Sequence, residues 1–205
     1  MIGVLDLGFG NIGSVVNMLR RVGAPVQAVS SEQELENSKT VILPGVGKFN
    51  NCLTTLKSDK SFFEKLENKV LVEKSPFLGI CIGMQLLLDS SEEGDLPGLG
   101  WIEGKVRQFK FSSHDIKVPN MGWSNVLVEK REPSYFEMNS RFYFVHSYYV
   151  DSVNTENVLA YSNYHDRKFV SAIHKENIMA VQFHPEKSNV SGINFFKNYL
   201  KNNYE

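Results

Sequence analysis

Four short apolar runs, Ile2–Leu7, Pro25–Val29, Thr40–Leu43 and Pro76–Ile80, are each followed by a stretch with helical periodicity. After the first, Val15, Val16, Leu19 and Val22 recur at helical spacing. After the second comes Ser30-Ser31-Glu32-Gln33, a helix-start signal. Two helices are predicted near 48–57 and 61–73, and another from Gly83 to about Ser90. Strand–helix alternation of this kind predicts a parallel sheet with helices on both faces, joined by right-handed connections. Functional residues in such sheets collect at the carboxyl ends of the strands. Beyond about residue 98 the rhythm changes. Short β-rich segments follow at Leu99–Phe111, Trp123–Val128, Phe142–Val150, Val158–Tyr161, Phe169–His174 and Ile178–Gln182, and they read as largely antiparallel. A helix from about Val190 to Lys201 closes the chain. The expected fold class is α/β: a mixed, mainly parallel sheet flanked by helices, with a β-rich C-terminal half. With no linker, repeat or low-complexity segment in view, residues 1–205 read as one domain.

Hydrophobic residues make up 42% and charged residues 22%, enough apolar material for a full core. The formal net charge of -1 gives no bulk attraction to nucleic acid or to an anionic membrane, so neither is expected as a partner. The opening MIGVLDLGFGN lacks the basic n-region of a signal peptide, and no apolar run approaches a membrane span. Cys52 and Cys81 form no Cys-x-x-Cys pair, so neither a disulfide framework nor a metal site is expected. A reducing, cytoplasmic setting follows, in which a thiol stays free for chemistry.

The strongest local signal is Gly79-Ile80-Cys81-Ile82-Gly83-Met84-Gln85. An apolar strand runs into a cysteine at a helix start, with glycines on both sides that permit a tight, strained turn. The helix N-terminus favours a thiolate, and the N–H of Ile82 is placed to meet a developing oxyanion. A buried structural cysteine is the competing reading. The second signal is Gln182-Phe183-His184-Pro185-Glu186-Lys187-Ser188. A catalytic cysteine needs a base, and the base needs a carboxylate to fix its tautomer. His184 and Glu186, one residue apart with a stiffening proline between, can share a face. Alone, the turn also reads as a surface turn with a helix-start glutamate. Of the other histidines, His114 lies in a polar stretch, and His165 and His174 have charged or polar neighbours and are expected in solvent.

Together the two motifs resemble the class I, or triad, glutamine amidotransferases. Within that family the glutaminase subunits of imidazole glycerol phosphate synthase are most similar. The likeness extends to Asp6-Leu7-Gly8-Phe9-Gly10-Asn11, Leu43-Pro44-Gly45-Val46-Gly47, Ser90-Ser91-Glu92-Glu93, Pro119-Asn120-Met121-Gly122-Trp123 and Tyr143-Phe144-Val145-His146-Ser147-Tyr148. The resemblance implies a flavodoxin-like fold and a Cys81–His184–Glu186 triad. Gly45, Val46, Gly47 and Ile82 would supply the oxyanion hole, and Gln85, Glu93, Ser147 and Tyr148 would hold L-glutamine. His146 would be a pocket or support residue. The resemblance further implies a heterodimer with a (β/α)₈ cyclase subunit, docked through Gly10, Asn11, Asn120, Trp123, Tyr143 and Lys187, and no cofactor or metal. Read by residue type alone, Glu93 sits among acidic neighbours and reads as solvated, whereas Gln85, one turn past Cys81, faces the same side.

The chain departs from that pattern at Phe9, where Met is common, at Asn120, where His is usual, and at Ser124, where Asn is usual. None touches the triad. The drift leaves a second destination for the ammonia, amidino-sugar formation in surface polysaccharide, to which the Leu96–Trp101 stretch is also similar. A cysteine peptidase or chaperone of similar fold would lack His-Pro-Glu, and a non-catalytic subunit usually loses a member of the triad.

Overall fold

A computed structural model describes residues 1–113, 115–129, 134–137 and 140–204. His114 lies outside the described residues. The chain runs β1 (Ile2–Leu5), α1 (Ile12–Arg21), β2 (Val26–Val29), α2 (Glu32–Glu36), β3 (Thr40–Leu43), α3 (Phe49–Leu56), α4 (Lys60–Glu67), β4 (Phe77–Ile80) and α5 (Ile82–Leu86). It continues through β5 (Ser90–Ser91), β6 (Gly104–Gln108), β7 (Asn120–Asn125), β8 (Leu127–Val128), β9 (Arg141–His146), β10 (Tyr148–Val153), β11 (Val158–Tyr164), β12 (Arg167–Lys175) and β13 (Ile178–Val181), and ends in α6 (Asn189–Asn203).

The main sheet has the order β2-β1-β3-β4-β13-β12-β10-β6-β5, with β11 beside β12 and β8 beside β11. Strands β2, β1, β3, β4 and β13 are parallel. From β12 onward the pairing is antiparallel except between β5 and β6. Strands β1, β3, β4 and β13 are buried along their whole length, as strands covered on both faces must be. Alternate residues feed two cores. Val4, Ile42, Leu78 and Ile80 pack with Val15 and Leu19 of α1 and with Phe195, Phe196 and Tyr199 of α6. Leu5, Val41, Leu43 and Phe77 pack with Phe49 and Leu53 of α3 and with Met84 and Leu86 of α5. The parallel run of β13 beside β4 matters most. It brings the ends of two strands a hundred residues apart to one edge of the sheet.

Where the elements differ from expectation, a local bond explains why. The Ser31 side chain accepts from Glu34 N–H, and Glu34 reaches back to the Ser31 N–H, so α2 starts as the sequence predicts. The helix near 61–73 stops at Glu67 and widens into a π turn over Asn68–Val72. There the Asn177 amide donates to the carbonyls of Val70 and Ser75. Helix α5 ends at Leu86, not near Ser90, because Leu99 N–H donates to Leu86 O and Gly100 N–H to Leu88 O. The Gly98–Ile102 loop thus satisfies the last carbonyls of α5, and only residues 104–108 of the 99–111 segment are a strand. The 142–150 run divides at Ser147, with β9 pairing to β7 in a separate ribbon and β10 joining the main sheet. His165 is exposed, as expected. His174 is not fully solvated, since it is half-buried with its ring against Tyr135.

Candidate active site

Cys81 joins β4 to α5 with φ 55° and ψ -109°, a conformation that costs a non-glycine residue about 1–3 kcal/mol. Neighbouring contacts fix it. Its N–H donates to Val181 O at 2.8 Å, and the flanking glycines let backbone pack on backbone. A Cβ on Gly79 would lie 2.7 Å from Gly83 O, and one on Gly83 would lie 2.3 Å from Leu43 O. A Cβ on Gly45 would meet the Ile82 side chain at 1.9 Å. The cysteine elbow and the Pro44–Gly47 turn therefore approach as closely as bare backbone allows. The sulfur-bearing residue is 8% exposed, enough to reach the cleft beside it.

Three residues past β13, His184 is held on both sides. Its N–H donates to Tyr143 O at 2.8 Å, and the Ser188 hydroxyl donates to its carbonyl at 2.6 Å. The same hydroxyl accepts the Tyr143 N–H at 3.0 Å, tying β9 to the histidine turn. His184 Nδ1 donates to Glu186 Oε1 at 2.8 Å, with both side chains buried. That bond engages Nδ1 and leaves Nε2 free of the carboxylate. Burial works against an imidazolium here, yet the neighbouring Cys81 side chain and the hydrogen bond to Glu186 together push the His184 pKa up to about 10. The site thus sets a carboxylate-braced imidazole of raised pKa beside the Cys81 side chain.

A cleft of about 250 Å³ opens over this pair. Val46, Gly47, Cys81, Ile82, Gln85, Glu93, Ser147, Tyr148 and His184 line it, joined by Pro119, Val145 and His146. Gly45 is buried beneath, and Glu186 stands behind His184. Glu93 is half-buried, not solvated: burial raises its carboxyl pKa, while the Phe49 N–H, donating at 3.1 Å, and Lys48 pull it down. Gln85 is buried and donates through Nε2 to Tyr148 O at 3.0 Å and to Gln182 Oε1 at 2.9 Å. His146 is buried among Phe109, Phe144 and Phe169. Burial, and secondarily the charge of His184, lower its pKa to about 4, although its bond to Tyr148 opposes this. Among the described residues no group of three or more His, Cys, Asp or Glu is arranged to hold a metal ion.

The sequence profile of the family described as Glutamine amidotransferase class-I matches residues 3–202. The chain belongs to the class I glutamine amidotransferases. Among its relatives is a Methanococcus maripaludis protein named imidazole glycerol phosphate synthase subunit HisH 2, 44% identical over 98% of this chain and 99% of that one. Another, of the same name, from Pseudomonas aeruginosa, is 42% identical over 98% of this chain and 99% of that one. A Leptospira borgpetersenii protein named imidazole glycerol phosphate synthase subunit HisH is 40% identical over 97% and 98%. The fold is shared with a solved glutamine amidotransferase at TM-score 0.74 and 21% identity, covering 98% of this chain and 97% of that one.

On this amidotransferase the six residues first grouped as partner contacts are not equivalent. Lys187 and Trp123 are exposed, the latter at 41%, and Gly10, Asn11 and Tyr143 are half-buried. Asn120 is buried, and its amide donates to His146 Nε2 at 3.0 Å, so its side chain faces inward. Gln182 and Ser188, in the same motif, also contact the site. Gln182 is two positions from His184, and period-2 alternation would have put it on the same face. Ser188 bonds back to the turn it follows. No helix among the described residues is long and apolar enough to cross a membrane.

Proposed function

We propose that this amidotransferase is the glutaminase subunit of an imidazole glycerol phosphate synthase, supplying ammonia for histidine biosynthesis. The chemistry is carried by one observation: the strained Cys81 elbow and the His184–Glu186 pair meet at the floor of one cleft. The names of the full-length relatives support the pathway and favour it over surface-sugar formation. We read residues 1–205 as one amidotransferase domain, since a single sheet supplies both halves of the triad.

In the proposed reaction the Cys81 thiolate attacks the side-chain amide carbon of glutamine. A C–S bond forms, and the carbonyl electron pair moves to oxygen. The Ile82 N–H, among the helix-start donors that lack an intrahelical partner, and the amides of Gly45, Val46 and Gly47 stabilise that oxyanion. The imidazolium of His184 gives its Nε2 proton to the leaving nitrogen, the C–N bond breaks, and ammonia departs. Neutral His184 then takes a proton from water as it attacks the thioester. The C–S bond breaks, glutamate leaves, and the ion pair is restored. Glu93 faces the substrate ammonium, and Gln85, Ser147 and Tyr148 hold its amino-acid head.

Ammonia is useful only if delivered before it escapes. A (β/α)₈ cyclase docked over the cleft mouth meets that need, with Gly10, Asn11, Trp123, Tyr143 and Lys187 as its contact residues. Val46, half exposed at the mouth, belongs to the turn that docking would realign to complete the oxyanion hole. The free thiols of Cys52 and Cys81 suit the reducing cytoplasm. The test is a tagged pull-down from source cells with the bound proteins identified by mass, followed by glutamine hydrolysis with and without them. Recovery of the cyclase of histidine biosynthesis, with hydrolysis raised at least tenfold by it, is expected. Recovery of a sugar-modifying amidotransferase set in its place would overturn the pathway and leave the glutaminase standing.

A further inference from the structure

Gln182 is fully buried one residue beyond β13 and level with Cys81, because Val181 is in register with Ile80. Its own N–H is fixed on Ser171 O at 2.9 Å. The direction of its side-chain amide follows from its neighbours. The Tyr148 carbonyl can only accept, so Gln85 must present Nε2 to it. The second hydrogen of that Nε2 goes to Gln182, which must present Oε1. The Gln182 Nε2–H₂ group is thereby turned to Cys81 Sγ at 3.6 Å. The same carbonyl settles the histidine behind it. His146 Nδ1 lies 2.7 Å from Tyr148 O and must carry the hydrogen, so Nε2 accepts from Asn120. Every link between Asn120 and the sulfur has one allowed polarity, and the sulfur also has the Val145 carbonyl as a polar neighbour at 4.0 Å.

We propose that Gln182 is a positioning residue for the nucleophile: its buried amide N–H holds the Cys81 sulfur as a thiolate, and Gln85, Tyr148, His146 and Asn120 keep that amide from turning over. An N–H donated to an anion stabilises it more than the neutral form. A flipped amide would aim Oε1 at the sulfur and disfavour ionisation. Gln85 has a double duty in this arrangement, lining the cleft on one side and orienting Gln182 on the other. The proposal rests on the reading of Cys81 as the nucleophile.

The experiment measures alkylation of Cys81 by iodoacetamide in the full chain across pH, read on the Cys81 peptide by mass so that Cys52 does not contribute. Gln182→Met removes the donor at similar volume. Gln182→Glu keeps an acceptor for Gln85 but replaces the donor facing the sulfur. Alkylation at pH 7 is expected to fall about tenfold or more in both, with its pH profile displaced to higher pH. A variant with wild-type circular dichroism and the wild-type profile overturns the proposal. Should both variants fail to fold, the wild type decides: the Gln182 side-chain amide resonance is expected to move as Cys81 ionises and to stay still in Cys81→Ala. A resonance that ignores ionisation overturns the proposal equally. Loss of glutamine hydrolysis in Cys81→Ala, alongside unaltered Gln182 variants, would mean that Gln182 is misassigned and the triad is not.

Discussion

Two buried histidines sit within one cleft and respond oppositely to pH. His146 is neutral at about pH 7, held with its proton on Nδ1 by the Tyr148 carbonyl, and its pKa is lowered from 6.5 to about 4 by burial first. Its contribution to stability is present above pH 6.5 and is lost as pH falls toward 4, where the unfolded chain takes up a proton that the folded one resists. The size is on the order of 3 kcal/mol. Urea unfolding between pH 7 and 4 is expected to lose stability in the wild type and to flatten in His146→Gln. His184 has the opposite sign. Its pKa is raised toward 10, so its contribution is complete below 6.5 and disappears as pH rises through 10. The meeting of Cys81 and His184 in one cleft was legible in the sequence, because Cys81 is announced by flanking glycines and His184 by a carboxylate two residues on. Gln182 and Asn120 were not legible in the same way. Their partners, Cys81 and His146, lie 101 and 26 residues away, and no local pattern encodes those contacts.

At the scale of elements, the glycines explain why the site can exist. Gly83 begins α5 against β3 so closely that a methyl group would lie 2.3 Å from Leu43 O. Gly83→Ala is expected to lower stability by about 1–3 kcal/mol or more, read as a lower urea midpoint with an unchanged slope. The loss comes from prising α5 off the sheet. Gly13, whose added Cβ would meet nothing within 4 Å, is the matched control, and Gly13→Ala should leave the midpoint unchanged or raise it. Strands and helices of the first half were readable from apolar runs and helical spacing. The ends of α4 and α5 were not, because Asn177, far along the chain, and the backbone of the 98–102 loop decide where those helices stop. The parallel direction of β13 was equally hidden. Its sequence reads as one more short strand of an antiparallel series, and its direction is set by the slot beside β4.

At the scale of the whole molecule, the cleft opens beside an apolar surface. Met121 is 62% exposed, Trp123 41% and Val118 39%, clustered in sequence around the cleft-lining Pro119. Trp123 touches the ring of Tyr143, whose backbone holds His184, so the surface and the triad share a brace. If the cyclase docks here, Trp123→Ala should weaken the complex by about 2 kcal/mol or more, measured by calorimetric titration, while moving the unfolding temperature of the free chain little. We propose that, whatever the partner, Cys81 performs the hydrolysis of glutamine in this chain. The direct measurement is glutamate release by the copurified complex of wild type and of Cys81→Ala, at equal complex occupancy. A loss of about a thousandfold or more, with the complex intact, is the predicted result. Glutamate released by Cys81→Ala at a rate near that of the wild type would contradict the account.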